Sequence, residues 1–217
     1  MPRTPEQRPR ESFRERRERR AGIDDPDVVL NAAARFLEVR SRSVDEVRRH
    51  LTQAGYQHEL VAAAVERLTT LGILDDAVFA RMWVESRDRA RPRSEMALRR
   101  ELMLKGIDRE LAAEVLDERR AGRSSGAGRG FGGVVVGESG EAGDQEESES
   151  PDMVAAARLL AKRAGALTRI SQPRERRQKA YALLARNGFD PEVCREATNR
   201  FLAAAEEAVG DPAFEAD

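Results

Sequence analysis

The chain has 217 residues, with 38 Lys and Arg against 39 Asp and Glu, a net charge of −1, aromatics at 5% and charged residues at 35%. Its one cysteine, Cys194, excludes an internal disulfide and leaves no cysteine pair to hold a metal. No apolar run approaches the roughly 18 to 20 residues of a membrane span, and the Arg-rich start lacks the apolar core of an export signal, so a soluble cytoplasmic protein is predicted.

Residues 1–22 mix arginine with glutamate around a single large apolar side chain, Phe13, and are predicted to be a disordered arm. Asp25 and Pro26 then open a helix carrying Val29, Ala33, Phe36 and Leu37 at helical spacing. Ser43 followed by Glu46 has the form of a capping box and starts a second helix through Val44, Val47 and Leu51, which stops at Gly55. A third follows through Leu60, Ala64, Val65 and Leu68.

The pattern then restarts. Asp75 or Asp76 caps a helix whose apolar positions include Val78, Phe79, Met82 and Trp83, with Trp83 expected in the core. Ser94 caps the next, with Leu98 and Leu102, ending at Gly106, and Asp108 the one after, through Leu111, Val115 and Leu116. At the fixed offset of 51 that separates Gly55 from Gly106, Ser43 falls on Ser94, Leu51 on Leu102 and Leu60 on Leu111, which makes an internal repeat.

Residues 121–150 are rich in Gly, Ser and Glu and are expected to be a flexible linker. Beyond it Pro151 reopens the helical pattern, with Val154, Ala157, Leu160 and Ala161 expected on the buried face. Pro173 starts a helix through Ala180, Leu183 and Leu184 to Gly188, and Pro191 one through Val193, Ala197 and Phe201. The expectation is an all-α chain of tandem three-helix units at 23–73, 74–120 and 151–209, with an untied tail at 210–217.

A search for reactive chemistry singles out no catalytic, cofactor-binding or metal residue. His50 and His58 lack neighbouring ligands at metal spacing, and His50, which corresponds to Glu101, reads as a surface residue. Asp75 and Asp76 are explained by helix capping, and Cys194 by packing. What recurs is arginine. Arg40, Arg42, Arg48 and Arg49 return as Arg91, Arg93, Arg99 and Arg100, with Arg87 and Arg89 just before, and the third unit supplies Arg174, Arg176, Arg177 and Lys179. Guanidinium forks suit phosphate and carboxylate alike, so these residues form the candidate binding set. The alternative is a set of solvated helix faces.

The runs SRSVDEVRRHLTQAGY, LGILDDAVFARMWVESR, RPRSEMALRRELMLKGID and LLARNGFDPEVC resemble the RecX family, regulators of the bacterial recombinase RecA. The resemblance implies tandem three-helix units in an elongated, curved molecule. It also implies a non-enzymatic protein that lies in the groove of the RecA–DNA filament; a monomer without cofactor is the accompanying expectation. There it would limit ATP hydrolysis and strand exchange in homologous recombination and the SOS response, touching the DNA backbone as part of the filament. The family's second unit often has glycine where this chain has Ser94. A stand-alone helical nucleic-acid binder is the competing expectation.

Overall fold

The computed structural model describes residues 12–124 and 150–210; most of the expected linker and tail, and residues 1–11 of the expected arm, lie outside the described residues. The described residues form ten helices and no strand: α1 Phe13–Ala21, α2 Pro26–Glu38, α3 Val44–Ala54, α4 His58–Thr70, α5 Asp76–Ala90, α6 Glu95–Leu104, α7 Arg109–Ser124, α8 Pro151–Thr168, α9 Pro173–Arg186 and α10 Pro191–Gly210. The architecture is all-α, with helix triplets α2–α4, α5–α7 and α8–α10 in tandem. Two compact units divide the chain, one of residues 1–79 with 104–107, the other of residues 80–103 with 108–217.

In the first unit, Val29 and Ala33 of α2 meet Val47 and Leu51 of α3 and Val61, Val65 and Leu68 of α4 in one closed core. The predicted capping box is present: Ser43 Oγ accepts the Glu46 N–H, and the Glu46 carboxylate accepts the Ser43 N–H. That hydroxyl has a second task. Fully buried, it donates to the Lys105 carbonyl at 2.5 Å, at the turn that ends α6. Gly106 in that turn has φ 78°, and a Cβ there would stand 2.3 Å from the Asp45 side chain, so only glycine admits both the backbone and the neighbour. A second bond accompanies it: the Val44 N–H, at the first position of α3, donates to Asp76 Oδ1 at 2.9 Å. The first bond ties the Lys105 turn, and the second the start of α5, to the N-terminus of α3.

The second unit repeats the arrangement. Ser94 Oγ accepts the Ala97 N–H at 3.2 Å and donates to the Gly188 carbonyl at 2.6 Å, while the Glu95 N–H donates to Asp152 Oδ1 at 2.9 Å. Gly188, at φ 86°, meets Ala97 with no room for a side chain. Each second helix thus grips, by its N-terminus, the turn and the first helix of the triplet that follows. The Gly55 turn lies under α1: Arg17 fills the space a Cβ would need, and Arg20 Nη1 donates to the Ala54 carbonyl at 3.3 Å.

This use of α1 departs from the disorder expected for 1–22. Phe13 contributes little, being exposed, and the helix is held by the capping box between Ser12 and Glu15, the Arg14–Glu18 pair at 2.9 Å and its seat on the Gly55 turn. Two further expectations are corrected. Phe79 is buried as expected, but Val78 and Met82 are exposed, and α5 buries Ala80 and Val84 beside Phe79; Trp83 is half-buried. On α8 the buried side chains are Met153, Ala155, Ala156, Leu159, Leu160 and Leu167, whereas Ala157 and Ala161 are exposed. Alanine fits either face of a helix, so an alanine-rich stretch fixes its own rotation poorly, and the larger Met153, Leu159 and Leu167 decide it.

One buried charge was not foreseen. Arg119, whose side chain is 4% exposed, forms a two-pronged bond to Asp88 with both contacts at 2.9 Å. At the repeat offset Asp88 and Arg119 correspond to Leu37 and Leu68, both packed in the first core. An ion pair here replaces an apolar pair.

Two stability experiments follow. Asp76→Asn keeps an acceptor for the Val44 N–H and is expected to stay within about 0.5 kcal/mol of the parent, whereas Asp76→Ala strands that donor and costs about 1–3 kcal/mol in urea unfolding. Arg119→Leu leaves Asp88 without its guanidinium and is expected to cost about 3 kcal/mol, most of which the double change Asp88→Leu with Arg119→Leu restores. A double variant no more stable than Arg119→Leu would show that the leucine pair cannot be transplanted.

Candidate functional site

The cationic side chains singled out by repetition divide into those that the fold consumes and those that it leaves. On the first unit, Arg40 reaches Glu46 at 3.4 Å, where Lys105 Nζ binds the same oxygen at 2.6 Å. Burial alone would raise the Glu46 carboxyl, but the hydrogen bond and charge of Lys105, the Ser43 N–H and Arg40 together hold it below the usual glutamate range. Arg49 pairs with Asp45 at 2.8 Å and donates to the Leu104 carbonyl at 3.2 Å. Arg48 is exposed.

Arg42 has another role. Its guanidinium carbon lies 4.2 Å from the centre of the Phe36 ring, and the imidazole of His50 stacks on Phe36 at 3.8 Å with 3° between the planes. Two groups so close to one ring cannot share a face, so the order is Arg42, Phe36, His50. Burial, then Arg42 and Arg20, push the His50 pKa below the ordinary histidine value. His50 is exposed as predicted, but it is not a bystander.

At the corresponding positions of the second unit stand Arg93, Arg87 and Glu101. Glu101 gathers Arg87 at 2.7 Å, Arg93 at 3.4 Å and the Trp83 indole N–H at 3.0 Å, and Arg87 lies over the Trp83 ring at 4.3 Å. Trp83, expected in the core, is thereby part of a polar network. Arg99 pairs with Glu95 at 3.0 Å, the carboxylate that also takes Arg120, and Arg89 approaches Glu85 at 3.9 Å. In the third triplet Arg176 donates twice to the Ile170 carbonyl, at 3.1 and 2.8 Å, and Lys179 pairs with Glu175 at 2.7 Å.

What remains is a smaller set. Arg48, Arg91, Arg100, Arg174 and Arg177 are exposed, and their guanidinium groups make no ion pair or hydrogen bond among the described residues. On α6, Arg100 stands in a row with two exposed methionines, Met96 at 69% and Met103 at 52%. The third triplet also has an open recess of about 750 Å³, floored by Leu167, Ile170 and Leu183 and flanked by Arg163, Lys179 and Arg186.

Asp75, Asp76 and Cys194 have structural partners. Asp75 caps α5 through the Ala77 and Val78 N–H groups at 2.8 and 3.0 Å, and Asp76 is the acceptor for Val44. Cys194 is fully buried, its thiol donates to the Phe189 carbonyl at 3.5 Å, and burial and Asp190 push its pKa up. Among the described residues no three His, Cys, Asp or Glu side chains converge on a common point, and no helix is long and apolar enough to cross a membrane.

Family models described as the first, second and third three-helix domains of RecX match residues 30–68, 75–116 and 152–198. The chain belongs to the RecX family. It is similar to proteins named Regulatory protein RecX from Prosthecochloris aestuarii, 39% identical over 94 residues, and Mycolicibacterium smegmatis, 38% identical over 90 residues. Those matches take in 43% and 42% of this chain and 62% and 48% of the relatives, so the chain spans roughly half the length of the curated relatives it matches. The crystal structure of RecX from Lactobacillus salivarius shares the fold, with a TM-score of 0.56 at 17% identity over 83% of this chain and 98% of that one.

The Glu46 cluster sets a pH dependence of stability. Because the folded carboxyl titrates below its unfolded value of about 4.3, its contribution is full above that pH and is lost as pH falls through the folded pKa. Thermal unfolding between pH 6 and pH 3 is expected to show Glu46→Gln destabilised at pH 6 and converging on the parent at pH 3. A constant difference across that range would place the effect outside ionisation.

Proposed function

We propose that the protein is a non-catalytic regulator that binds the RecA–DNA filament and restrains RecA's ATP hydrolysis and strand exchange, in recombination and the SOS response. One observation carries this reading. All three RecX domain models match in order, and each triplet keeps at least one exposed arginine whose guanidinium makes no hydrogen bond or close ion pair among the described residues, Arg48, then Arg91 and Arg100, then Arg174 and Arg177.

A filament offers the same acidic protein surface and the same phosphate backbone at regular intervals. A single exposed guanidinium gains little against one such group, on the order of 1 kcal/mol or less, because water and salt screen it. Several held by one chain engage together, and the second contact becomes intramolecular once the first has formed. Regulation on this reading is occupation of the filament by a monomeric cytoplasmic protein without cofactor. The RecX relatives are likewise named as regulatory proteins.

Substoichiometric protein is expected to depress DNA-dependent ATP hydrolysis by the cognate RecA. Replacing Arg48, Arg91, Arg100, Arg174 and Arg177 together by Ala is expected to weaken that effect at least about tenfold at moderate salt, with helicity unchanged by circular dichroism. No effect of the parent protein under filament-forming conditions would remove the reading. Tight DNA binding without any effect on ATP hydrolysis would favour the stand-alone nucleic-acid binder.

A further inference from the structure

The triplets are copies, so a difference between matched positions isolates what one copy has acquired. Phe36, Arg42 and His50 in the first stand where the second has Arg87, Arg93 and Glu101. In the second, Arg87 and Arg93 both pair with Glu101, in a network that Trp83 joins. In the first they form a stack, Arg42 on Phe36 on His50, whose last ring is exposed. Phe36 covers one face of the imidazole, so the exposure lies on its other face and edge.

That exposed ring opens on a recess of about 250 Å³ in the first unit, lined by Phe36, His50, Gln53 and Leu104, with Arg49 and Lys105 on its rim and Glu46 paired to Lys105. The volume lies just below the roughly 300–1,000 Å³ of sites for drug-sized ligands, which suits one planar ring. Arg42 and Arg20 impose a positive field on His50, while Arg49 pairs with Asp45, and Lys105 and Arg40 pair with Glu46. A π-face, an adjacent amide and a positive field are what a base and its phosphate require of a single-stranded nucleic-acid site.

We propose that the exposed face of His50, backed by Phe36 and Arg42, is a stacking site for one base of single-stranded DNA, present in the first triplet and absent from the second. Phe36 and Arg42 hold the imidazole flat, and Gln53 offers donor and acceptor groups at the base edge. The site deepens the filament reading and rests on it, since it supplies the contact to DNA.

The experiment compares the full chain binding to an end-labelled oligothymidylate and to an abasic strand of equal length, by fluorescence anisotropy at low salt. The base-bearing strand is expected to bind more tightly by about 5- to 150-fold, the range of one base stacked on one aromatic group. His50→Ala should reduce its affinity to that of the abasic strand, which itself should change little, and His50→Phe should restore the preference. His50 is exposed, so both variants should retain the parent's helicity. Equal affinity for the two strands, a preference that survives His50→Ala, or no binding to either strand would overturn the site. None of those results touches the filament reading, which fails only if the protein leaves ATP hydrolysis unaffected.

Discussion

A single buried hydroxyl, used once as acceptor and once as donor, couples each triplet to the next. Ser43 and Ser94 accept an amide from their own helix, and both donate to a carbonyl of the following turn. Aspartate would cap equally well but, ionised, has no proton to donate; glycine would do neither. The glycine turn is the other half of the joint, because the serine reaches the carbonyl only where no side chain intervenes.

This constraint explains which parts of the fold were legible. Caps, apolar spacing and glycine stops are local, and those of α3 and α6 stand where the repeat placed them. Partners distant in sequence were not legible. Asp75 and Asp76 were interchangeable as caps until Asp75 proved to hold its own helix and Asp76 the helix of the preceding triplet. The rotation of α8 failed for a different reason, since alanine carries almost no signal about which face is buried. Helix α1 was missed because it is held by polar contacts and by its seat on Gly55, neither of which registers as hydrophobicity.

The arginines show the limit of counting. Repetition marked them as a set, yet conservation of residue type between copies conceals divergent use. Arg42 backs an aromatic ring, Arg93 joins a carboxylate, Arg40 meets Glu46, and Arg91 finds Ala97 where the first copy has that glutamate. Substitution at the paired position decides the role. His50 against Glu101, visible in the aligned repeat, was the signal that the two surfaces differ; its meaning required knowing that Phe36 and Arg87 stand opposite them.

The second copy has ionic contact twice where the first has apolar or aromatic contact, at Asp88 with Arg119 and at Arg87 with Glu101. A buried ion pair contributes little net stability over well-packed leucines, because desolvation offsets most of the attraction. Its geometry is nevertheless stricter, since a two-pronged guanidinium bond tolerates less sliding than a leucine contact. A regulator that must engage a repeating partner at several points gains from such fixity, because each contact is weak and misplacement of one helix would forfeit the next. On the proposed reading the first copy is then free to specialise in the base, and the second in holding its arginines in place.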